Sequence, residues 1–250
     1  MGNTQTKESG HWYKKDGTPA YTMIGKNGAE RNTTLRDARK ENLVPSVTSI
    51  IRCAAAPGLE NWKSQQVLMA ALTTDRKPEE SEQEYISRII TDANEQALKA
   101  REKGTLIHAF VQSGFEGVPL EAEAYRYYLS AKNTLENELN ADVEWICEKS
   151  FATERYGGKA DLHSPHYLID FKTTDKPVEG LKLWDEHYYQ LAAYRAGLGI
   201  NGSVCGILYI NSNTAESRLI LAEEKELEKG LRCFNALVDF YYSKTRLGEE

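Results

Sequence analysis

The sequence lacks most features that mark secreted, membrane-bound or zinc-stabilised proteins. It contains no run of about 18 apolar residues, so we expect no membrane-spanning helix. Its first residues contain no apolar signal core, so a cytoplasmic protein is expected. The four cysteines form no Cys-x-x-Cys pair, which argues against a zinc ribbon and indicates reduced, isolated thiols: Cys53, Cys147, Cys205 and Cys233.

A Walker A phosphate loop is also missing, so we expect no fused ATP-driven helicase and no ATP among the cofactors. The composition, 40% hydrophobic and 27% charged over 250 residues, is ordinary for a globular protein. The net charge of −6 is uneven, with +3 in residues 1–60 and −9 in the remainder. A local basic stretch is enough to contact phosphates, so the acidic total does not exclude a nucleic-acid enzyme. A solvated charged surface explains the same residues equally well.

The first half of the chain is predicted to contain a hairpin followed by helices. Aromatic-rich arms flank the turn dipeptide Asp16-Gly17, which predicts a β-hairpin over residues 11–24, and Asn27-Gly28 marks another turn. Pro45, followed by hydroxyl residues, predicts a loop that leads into a short helix. Periodic apolar residues then predict three helices, over residues 59–72, over residues 79–115 with Gly104 as a candidate interruption, and from Pro119 to about Leu139.

The pattern changes to short strands at Val143. The predicted order is strands 143–153, 159–163 and 167–172, helix 184–198, strands 204–210 and 218–221, and helix 223–247, with a turn at Gly157-Gly158. This order predicts a mixed α/β (α+β) fold with a helical N-terminal part. We expect one globular unit, in which a hairpin and loop segment (1–58) packs on a core (59–250) that contains a helical insertion (59–140).

Two acidic residues and a lysine are predicted to meet on adjacent strands. Asp170 and Lys172 are two residues apart, so their side chains share one face of a strand while Phe171 points into the core. Asp161 lies on the preceding strand, across a short turn. Converging carboxylates repel each other unless a cation is present, and a hard divalent ion would offset that repulsion. With Lys172 to orient or help deprotonate a water, the group is suited to phosphodiester hydrolysis.

Taken alone, two acidic residues and a lysine are common on ordinary surface hairpins. The sequence segments around them make the pattern specific. The matching segments are Pro45-Ser-Val-Thr48, Gly104-Thr-Leu-Ile-His108, Gly157-Gly-Lys-Ala-Asp161, Asp170-Phe-Lys-Thr173 and Gln190-Leu-Ala-Ala-Tyr194. In this order they resemble the PD-(D/E)xK nuclease superfamily, in particular its RecB-like exonuclease group, which includes mitochondrial genome maintenance exonucleases and phage or prophage exonucleases. The resemblance spans residues 45–194 and implies a restriction-endonuclease-like core, with a central mixed sheet flanked by helices.

The resemblance implies a role for each matching residue. The implied metal ligands are His108, Asp161, Asp170 and the backbone carbonyl of Phe171. Lys172 would position the attacking water and stabilise charge that develops on the phosphate. Gln190 and Tyr194 are one helical turn apart on one face, and they would set Lys172 and the DNA backbone.

Some implied roles have competing interpretations. Glu148 is the candidate for an additional acidic catalytic residue, with Glu144 and Glu154 as competitors on the same segment. The candidate DNA contacts are the hydroxyl groups of Ser46, Thr48 and Thr173. Helix capping explains the first two of these hydroxyl residues equally well.

The resemblance therefore implies a Mg²⁺- or Mn²⁺-dependent deoxyribonuclease, an exonuclease on linear DNA in phage or prophage recombination or DNA repair. One or two ions are expected, and no iron–sulfur cluster, because the late cysteine cluster of some relatives is missing. A single-strand annealing recombinase is a candidate partner, and a homo-oligomer is compatible with the pattern. A structure-specific endonuclease and a non-catalytic DNA-binding module are the alternatives, and the intact acidic pair and lysine count against the second.

Overall fold

A computed structural model describes residues 11–54, 57–139 and 143–249, and these ranges contain seven helices and nine strands. The helices are α1 (Leu35–Lys40), α2 (Val47–Ile51), α3 (Pro57–Thr73), α4 (Glu82–Phe115), α5 (Ala122–Leu139), α6 (Asp185–Gly197) and α7 (Glu224–Thr245). The strands are β1 (Trp12–Tyr13), β2 (Thr22–Ile24), β3 (Glu30–Asn32), β4 (Val44–Pro45), β5 (Ile146–Ala152), β6 (Gly157–His163), β7 (Tyr167–Thr174), β8 (Val204–Asn211) and β9 (Ser217–Leu221). Within the described ranges, no helix has both the length and the apolar character needed to cross a bilayer.

A mixed sheet in the order β5-β6-β7-β8-β9 forms the centre of the fold. Neighbouring strands are antiparallel except β7 and β8, which are parallel and connected through α6. Residues of α2, α6 and α7 pack in the hydrophobic cluster on one face, and residues of α4 and α5 pack on the other. The predicted mixed α/β (α+β) fold, with a central mixed sheet flanked by helices, is confirmed.

Strands β7 and β8 are buried on both faces. Leu168 and Ile207 pack in one cluster, Ile169 and Leu208 pack in the other, and all four are fully buried. The near-continuous apolar run of β8 is typical of a parallel central strand. Each such side chain contributes about 1.5–3 kcal/mol when it is buried. The result is a firmly held β7, paired with β8 along its whole length, on which a site can be built.

Strands β6 and β7 separate soon after the turn that joins them. Their Cα pairs in the described chain are Leu162 with Ile169 and His163 with Leu168. On its other side, β6 remains paired with β5 as far as Gly157. A gap between β6 and β7 therefore opens at the level of Asp161, and it faces the middle of β7.

The N-terminal segment pairs differently from the prediction. A turn does form at Asp16-Gly17, and Ala20 N donates to Trp12 O at 2.8 Å. Beyond Ala20 the predicted hairpin is wrong, because β2 pairs with β3 and β1 pairs with β4. The reason is burial: Trp12 packs with Leu43 and Leu247, far along the chain. The first ten residues of the predicted 1–58 segment lie outside the described residues, and the division into segments stays a prediction.

The long helix α4 continues through Gly104, so the candidate interruption there is wrong. Glycine inside a helix costs about 1 kcal/mol relative to alanine. Here close packing offsets that cost, because Gly104 is buried and a Cβ would lie 2.7 Å from Thr173 Oγ1. Helix α5 begins at Ala122 and not at the predicted Pro119, because Gly117 (φ 75°) ends α4 and the next residues reverse the chain direction.

Candidate active site

Asp170, Lys172 and Gln190 form a hydrogen-bonded group between β7 and α6. Gln190 Nε2 donates to Asp170 Oδ1 at 2.8 Å, and Lys172 Nζ donates to Gln190 Oε1 at 3.0 Å. Lys172 Nζ also lies 2.5 Å from Asp170 Oδ2. Asp170 is 3% exposed, whereas the Lys172 side chain keeps 33% of its surface exposed, so the carboxylate is shielded from water and the lysine is partly open to it. One side-chain amide therefore fixes a carboxylate and an ammonium relative to each other.

Asp161 joins this group from the neighbouring strand. Its Oδ2 accepts a hydrogen bond from the backbone N–H of Phe171 at 2.7 Å. Because β6 and β7 have separated at this level, the carboxylate occupies the place of a missing ladder contact. The Asp161 carboxylate therefore binds the backbone of the residue that follows Asp170, and this contact brings the two acidic residues together, as the sequence predicts.

His108 lies on α4, which packs on the face of the sheet opposite α6, and it approaches Asp161 from there. Its Nδ1 lies 3.7 Å from Asp161 Oδ1, and its ring packs edge-on against Phe171 with centroids 5.5 Å apart. Gly104, one helical turn earlier, lets α4 come into contact with Thr173 of β7. The glycine and the histidine thus act together, because the first sets the approach of the helix that carries the second.

Burial dominates the electrostatics of the group. It raises the pKa of Asp170 despite the attraction of Lys172, and repulsion from Asp161 adds to the rise. Burial acts in the same direction on Asp161, but His108, the Phe171 N–H and Lys172 together hold its pKa below the ordinary value. Burial disfavours the charged form of Lys172, yet the nearby carboxylates raise its pKa. Lys172 is therefore an ammonium at neutral pH, which suits it to stabilise negative charge and not to remove a proton.

Tyr194 closes the buried side of the group. Its hydroxyl lies 3.2 Å from Gln190 Nε2, and its ring packs on Gly158, where a Cβ would lie 2.7 Å from Tyr194 Cε1. Tyr13 packs in the same way on Gly157. The predicted turn at this glycine pair is wrong: both glycines lie within β6, because two tyrosine rings need the space. The packing of Tyr13 against this site was not predicted from the sequence. The two adjacent glycines are the sequence signal that large side chains pack there.

Glu148 lies on β5 in the position opposite Asp161. Its neighbours Cys147 and Lys149 pair with Leu162 and Ala160, while Glu148 itself has a left-handed backbone (φ 51°) that interrupts the ladder. Its carboxylate forms an ion pair with Lys159. Its competitors lie elsewhere: the side chain of Glu144 is exposed, and that of Glu154 pairs with Lys15 at 3.0 Å. A catalytic role for Glu148 stays a prediction.

The predicted DNA-contacting hydroxyl groups have structural partners. Ser46 caps α2, since its Oγ accepts from Ser49 N at 3.0 Å, and Thr48 Oγ1 lies 3.1 Å from the same oxygen. Ser46 also forms an isolated parallel bridge with Gly157, at the start of β6. Thr173 contacts Gly104. The capping interpretation thus applies to Ser46, and phosphate contacts by these residues stay predictions.

The acidic pair supplies oxygen ligands of the kind that hard divalent ions prefer. In the described part of the chain, Asp170 Oδ2 receives no hydrogen bond with suitable angles, and its close neighbour is the Lys172 ammonium. Among residues 11–54, 57–139 and 143–249, no three His, Cys, Asp or Glu side chains converge as a ligand set. The two carboxylates would supply part of the ligand set of a hard divalent ion and other oxygen donors would supply the rest, and metal binding here stays a prediction. His108 and the Phe171 carbonyl stay predicted ligands.

No known family model matches the chain, and no curated protein matches it. It is similar to solved structures that include a candidate exonuclease from Eubacterium rectale, with 15% identity, a TM-score of 0.40, and coverage of 59% of this chain and 69% of that one. A phage-related exonuclease from Haemophilus somnus aligns with 12% identity, a TM-score of 0.31, and coverage of 56% of this chain and 80% of that one. Because both TM-scores are low, the geometry of the site carries the functional argument.

Proposed function

We propose that the chain is a metal-dependent deoxyribonuclease, with exonuclease action on linear DNA as its expected mode. The observation that carries the proposal is the Gln190 amide, which joins Asp170 to Lys172 beside Asp161. Phosphodiester hydrolysis needs anionic oxygens that bind a divalent cation and a fixed positive charge beside the phosphate. The buried group supplies both within one hydrogen-bonded unit.

In this proposal Asp161 and Asp170 hold one or two Mg²⁺ or Mn²⁺ ions, which would polarise the phosphate and lower the pKa of a bound water. His108 and the Phe171 N–H keep Asp161 ionised and oriented. The Lys172 ammonium orients the attacking water and stabilises the charge that develops on a phosphate oxygen.

Two further residues position this group without contacting the reacting atoms. Gln190 holds Lys172 at a fixed distance from Asp170, and Tyr194 keeps water away from the buried side of the amide. A preorganised arrangement of this kind lowers the cost of reorienting charges during the reaction.

The biological setting is part of the same proposal and rests on the family resemblance. It comprises phage or prophage recombination or DNA repair in the cytoplasm, with a single-strand annealing recombinase as candidate partner. A homo-oligomer is included because it would keep the enzyme on its DNA.

The proposal is tested with end-labelled linear DNA and with closed circular DNA, each incubated with Mn²⁺, with Mg²⁺ and with a chelator. We expect nucleotide release from linear DNA with either ion, none with the chelator, and none from Asp170→Asn. An intact circle supports the exonuclease mode, whereas a cut circle replaces it with the endonuclease alternative. Absence of hydrolysis from both substrates contradicts the proposed function.

A further inference from the structure

A large aromatic side chain is exposed at the start of α6. The four tryptophans differ in burial: Trp12 is buried, Trp62 and Trp145 are half-buried, and Trp184 is 52% exposed. Lys182 Nζ lies 4.9 Å from the centroid of the Trp184 ring, in a cation–π contact. The indole therefore retains a large solvent-exposed area although the lysine already packs on it.

The backbone on both sides of this indole is held by buried groups. Tyr209 Oη donates to Lys182 O at 2.9 Å. Trp184 N donates to His187 Nδ1 at 3.1 Å, and Trp184 O accepts from His187 N at 3.0 Å. His187 and Tyr209 are both buried, and their rings pack edge-on. The exposed ring thus projects from a backbone segment that is held in place, so little backbone entropy is lost when the ring binds a partner.

The same contacts connect the backbone that carries the indole to the strand next to the proposed catalytic lysine. Tyr209 is the β8 residue paired with Lys172 of β7. Gln190, which hydrogen-bonds Lys172, follows Trp184 on α6 by about 9 Å along the helix axis. Trp184 and Lys172 therefore lie at the same end of the sheet, connected through Tyr209 on one side and α6 on the other.

We propose that Trp184, with Lys182, forms a stacking platform for an unpaired base of the strand whose phosphate reaches Lys172. This inference rests on the proposed function and names its substrate class more closely: single-stranded DNA, or the frayed end of a duplex. Every base presents a flat aromatic face, so stacking needs no particular sequence. A base inside a duplex is covered by its neighbours and cannot stack on an exposed indole.

The charges around the indole favour a base as its occupant and disfavour a phosphate. Asp185 and Glu186 follow Trp184 in the first turn of α6, and they would repel a phosphate placed on the ring. Lys182, which packs on the ring, and Lys172, on β7, instead attract phosphates. A strand can satisfy both sets of charges if its base lies on the indole and its backbone passes along the two lysines.

The last helix offers a matched control for an exposed aromatic ring next to a lysine. Phe240 is 51% exposed, and Lys244 Nζ lies 5.8 Å from its ring centroid. Phe240→Ala removes from α7 an aromatic ring that is as exposed as that of Trp184. It therefore separates the effect of position from the general effect of deleting a surface aromatic.

The test measures binding of a dye-labelled oligo(dT) strand in the presence of a chelator, so that no hydrolysis occurs. Fluorescence anisotropy is expected to show binding weakened about tenfold or more in Trp184→Ala, because base–aromatic stacking contributes at this level. Trp184→Phe keeps a ring and is expected to bind within about threefold of the wild type. Phe240→Ala is expected to match the wild type. Oligo(dT) should quench the tryptophan fluorescence of the wild type, and this quenching should be lost in Trp184→Phe.

Two results overturn the platform: unchanged oligo(dT) binding by Trp184→Ala, or equal weakening by Phe240→Ala. A change of oligomeric state in Trp184→Ala, seen by sedimentation, assigns the ring to a protein interface and overturns it as well. Hydrolysis of labelled DNA separates this failure from failure of the proposed function. If oligo(dT) binding depends on Trp184 but no metal supports hydrolysis, the platform is upheld and the nuclease proposal fails.

Discussion

The carboxylate of Asp161 accepts a hydrogen bond from the backbone N–H of Phe171 at 2.7 Å, at the level where β6 and β7 have separated. The contact serves two purposes. It satisfies a backbone donor that would otherwise be buried without a partner, and it holds a negative charge beside the residue between Asp170 and Lys172. The Asp161 side chain therefore has both a structural role and a role in the proposed chemistry.

This link predicts different outcomes for two substitutions of the same residue. Asp161→Asn and Asp161→Ala both remove the charge, so both are expected to abolish hydrolysis. Asp161→Asn keeps an oxygen acceptor for the Phe171 N–H, whereas Asp161→Ala leaves the donor unsatisfied at a cost of about 1–3 kcal/mol. Urea unfolding should show that the alanine variant is the less stable by this amount. Equal stability of the two variants would refute the structural half of the argument.

The contact between Gly104 and Thr173 predicts that one added methyl group impairs the site. In Gly104→Ala the new Cβ would lie 2.7 Å from Thr173 Oγ1, and a shift of α4 away from β7 that relieves this clash would carry His108 away from Asp161. We expect hydrolysis to fall about tenfold or more, since a small misplacement of a site group is costly. The measurement is the initial rate of nucleotide release.

A double variant provides the control for this prediction. Thr173→Ala removes the clashing hydroxyl, so Gly104→Ala/Thr173→Ala should recover most of the activity of Thr173→Ala alone. If the double variant is as impaired as Gly104→Ala, the loss has another cause.

The same pair of residues shows what local patterns predict and what they miss. Strand β8 follows from its near-continuous apolar run, and α7 follows from its stripe of Leu227, Phe234 and Val238. Whether a glycine breaks a helix depends instead on what packs against it, and Gly104 contacts a strand that lies far along the chain. The partner of β1 was missed for the same reason, because Trp12 is buried by distant residues.

The candidate site also contains some features that local sequence patterns predict and others that they do not. The shared face of Asp170 and Lys172 follows from the period of a strand. The hydrogen bond from the Phe171 N–H to Asp161 could not be predicted, because it requires β6 and β7 to separate. Whether the Gln190 amide can bridge Asp170 and Lys172 depends on where α6 lies over the sheet. The periodicity of the sequence does not predict that position.

The bridging amide predicts a loss of rate without a loss of binding. Gln190→Ala frees Lys172 and Asp170 from their common partner, and substitutions that remove such supporting residues cost about 10–100-fold in activity. We expect the loss in kcat, with KM nearly unchanged, because Gln190 is a positioning residue. Tyr194→Phe, which removes the hydroxyl 3.2 Å from the amide, should have a smaller effect. A rise in KM at constant kcat would contradict the positioning role.

His187 predicts a decline in stability toward acidic pH. Burial and the positive charge of Lys172 lower its pKa from the ordinary 6.5 to about 4. The unfolded chain therefore binds a proton on this residue at a higher pH than the folded chain does. The associated stability is complete above pH 6.5 and is lost as the pH falls toward 4, by up to about 3 kcal/mol.

The measurement for this prediction is urea unfolding at a series of pH values from neutral to mildly acidic, in the absence of divalent ions. His187→Gln cannot take up this proton, so its stability should fall less steeply with acidification than that of the wild type. Parallel pH curves for the two proteins would show that another group is responsible.

The most direct test of the central claim compares two lysine–carboxylate pairs of the same chain. In one pair, called the buried pair, the Asp170 carboxylate that binds Lys172 is buried. In the other, called the exposed pair, the Glu154 carboxylate that binds Lys15 at an N–O separation of 3.0 Å is exposed. Release of nucleotides from labelled linear DNA with Mn²⁺ is measured for Lys172→Ala, Asp170→Ala, Lys15→Ala and Glu154→Ala. We expect no release from the two variants of the buried pair and wild-type release from the two variants of the exposed pair. Full activity in both Lys172→Ala and Asp170→Ala would contradict the assignment of this site.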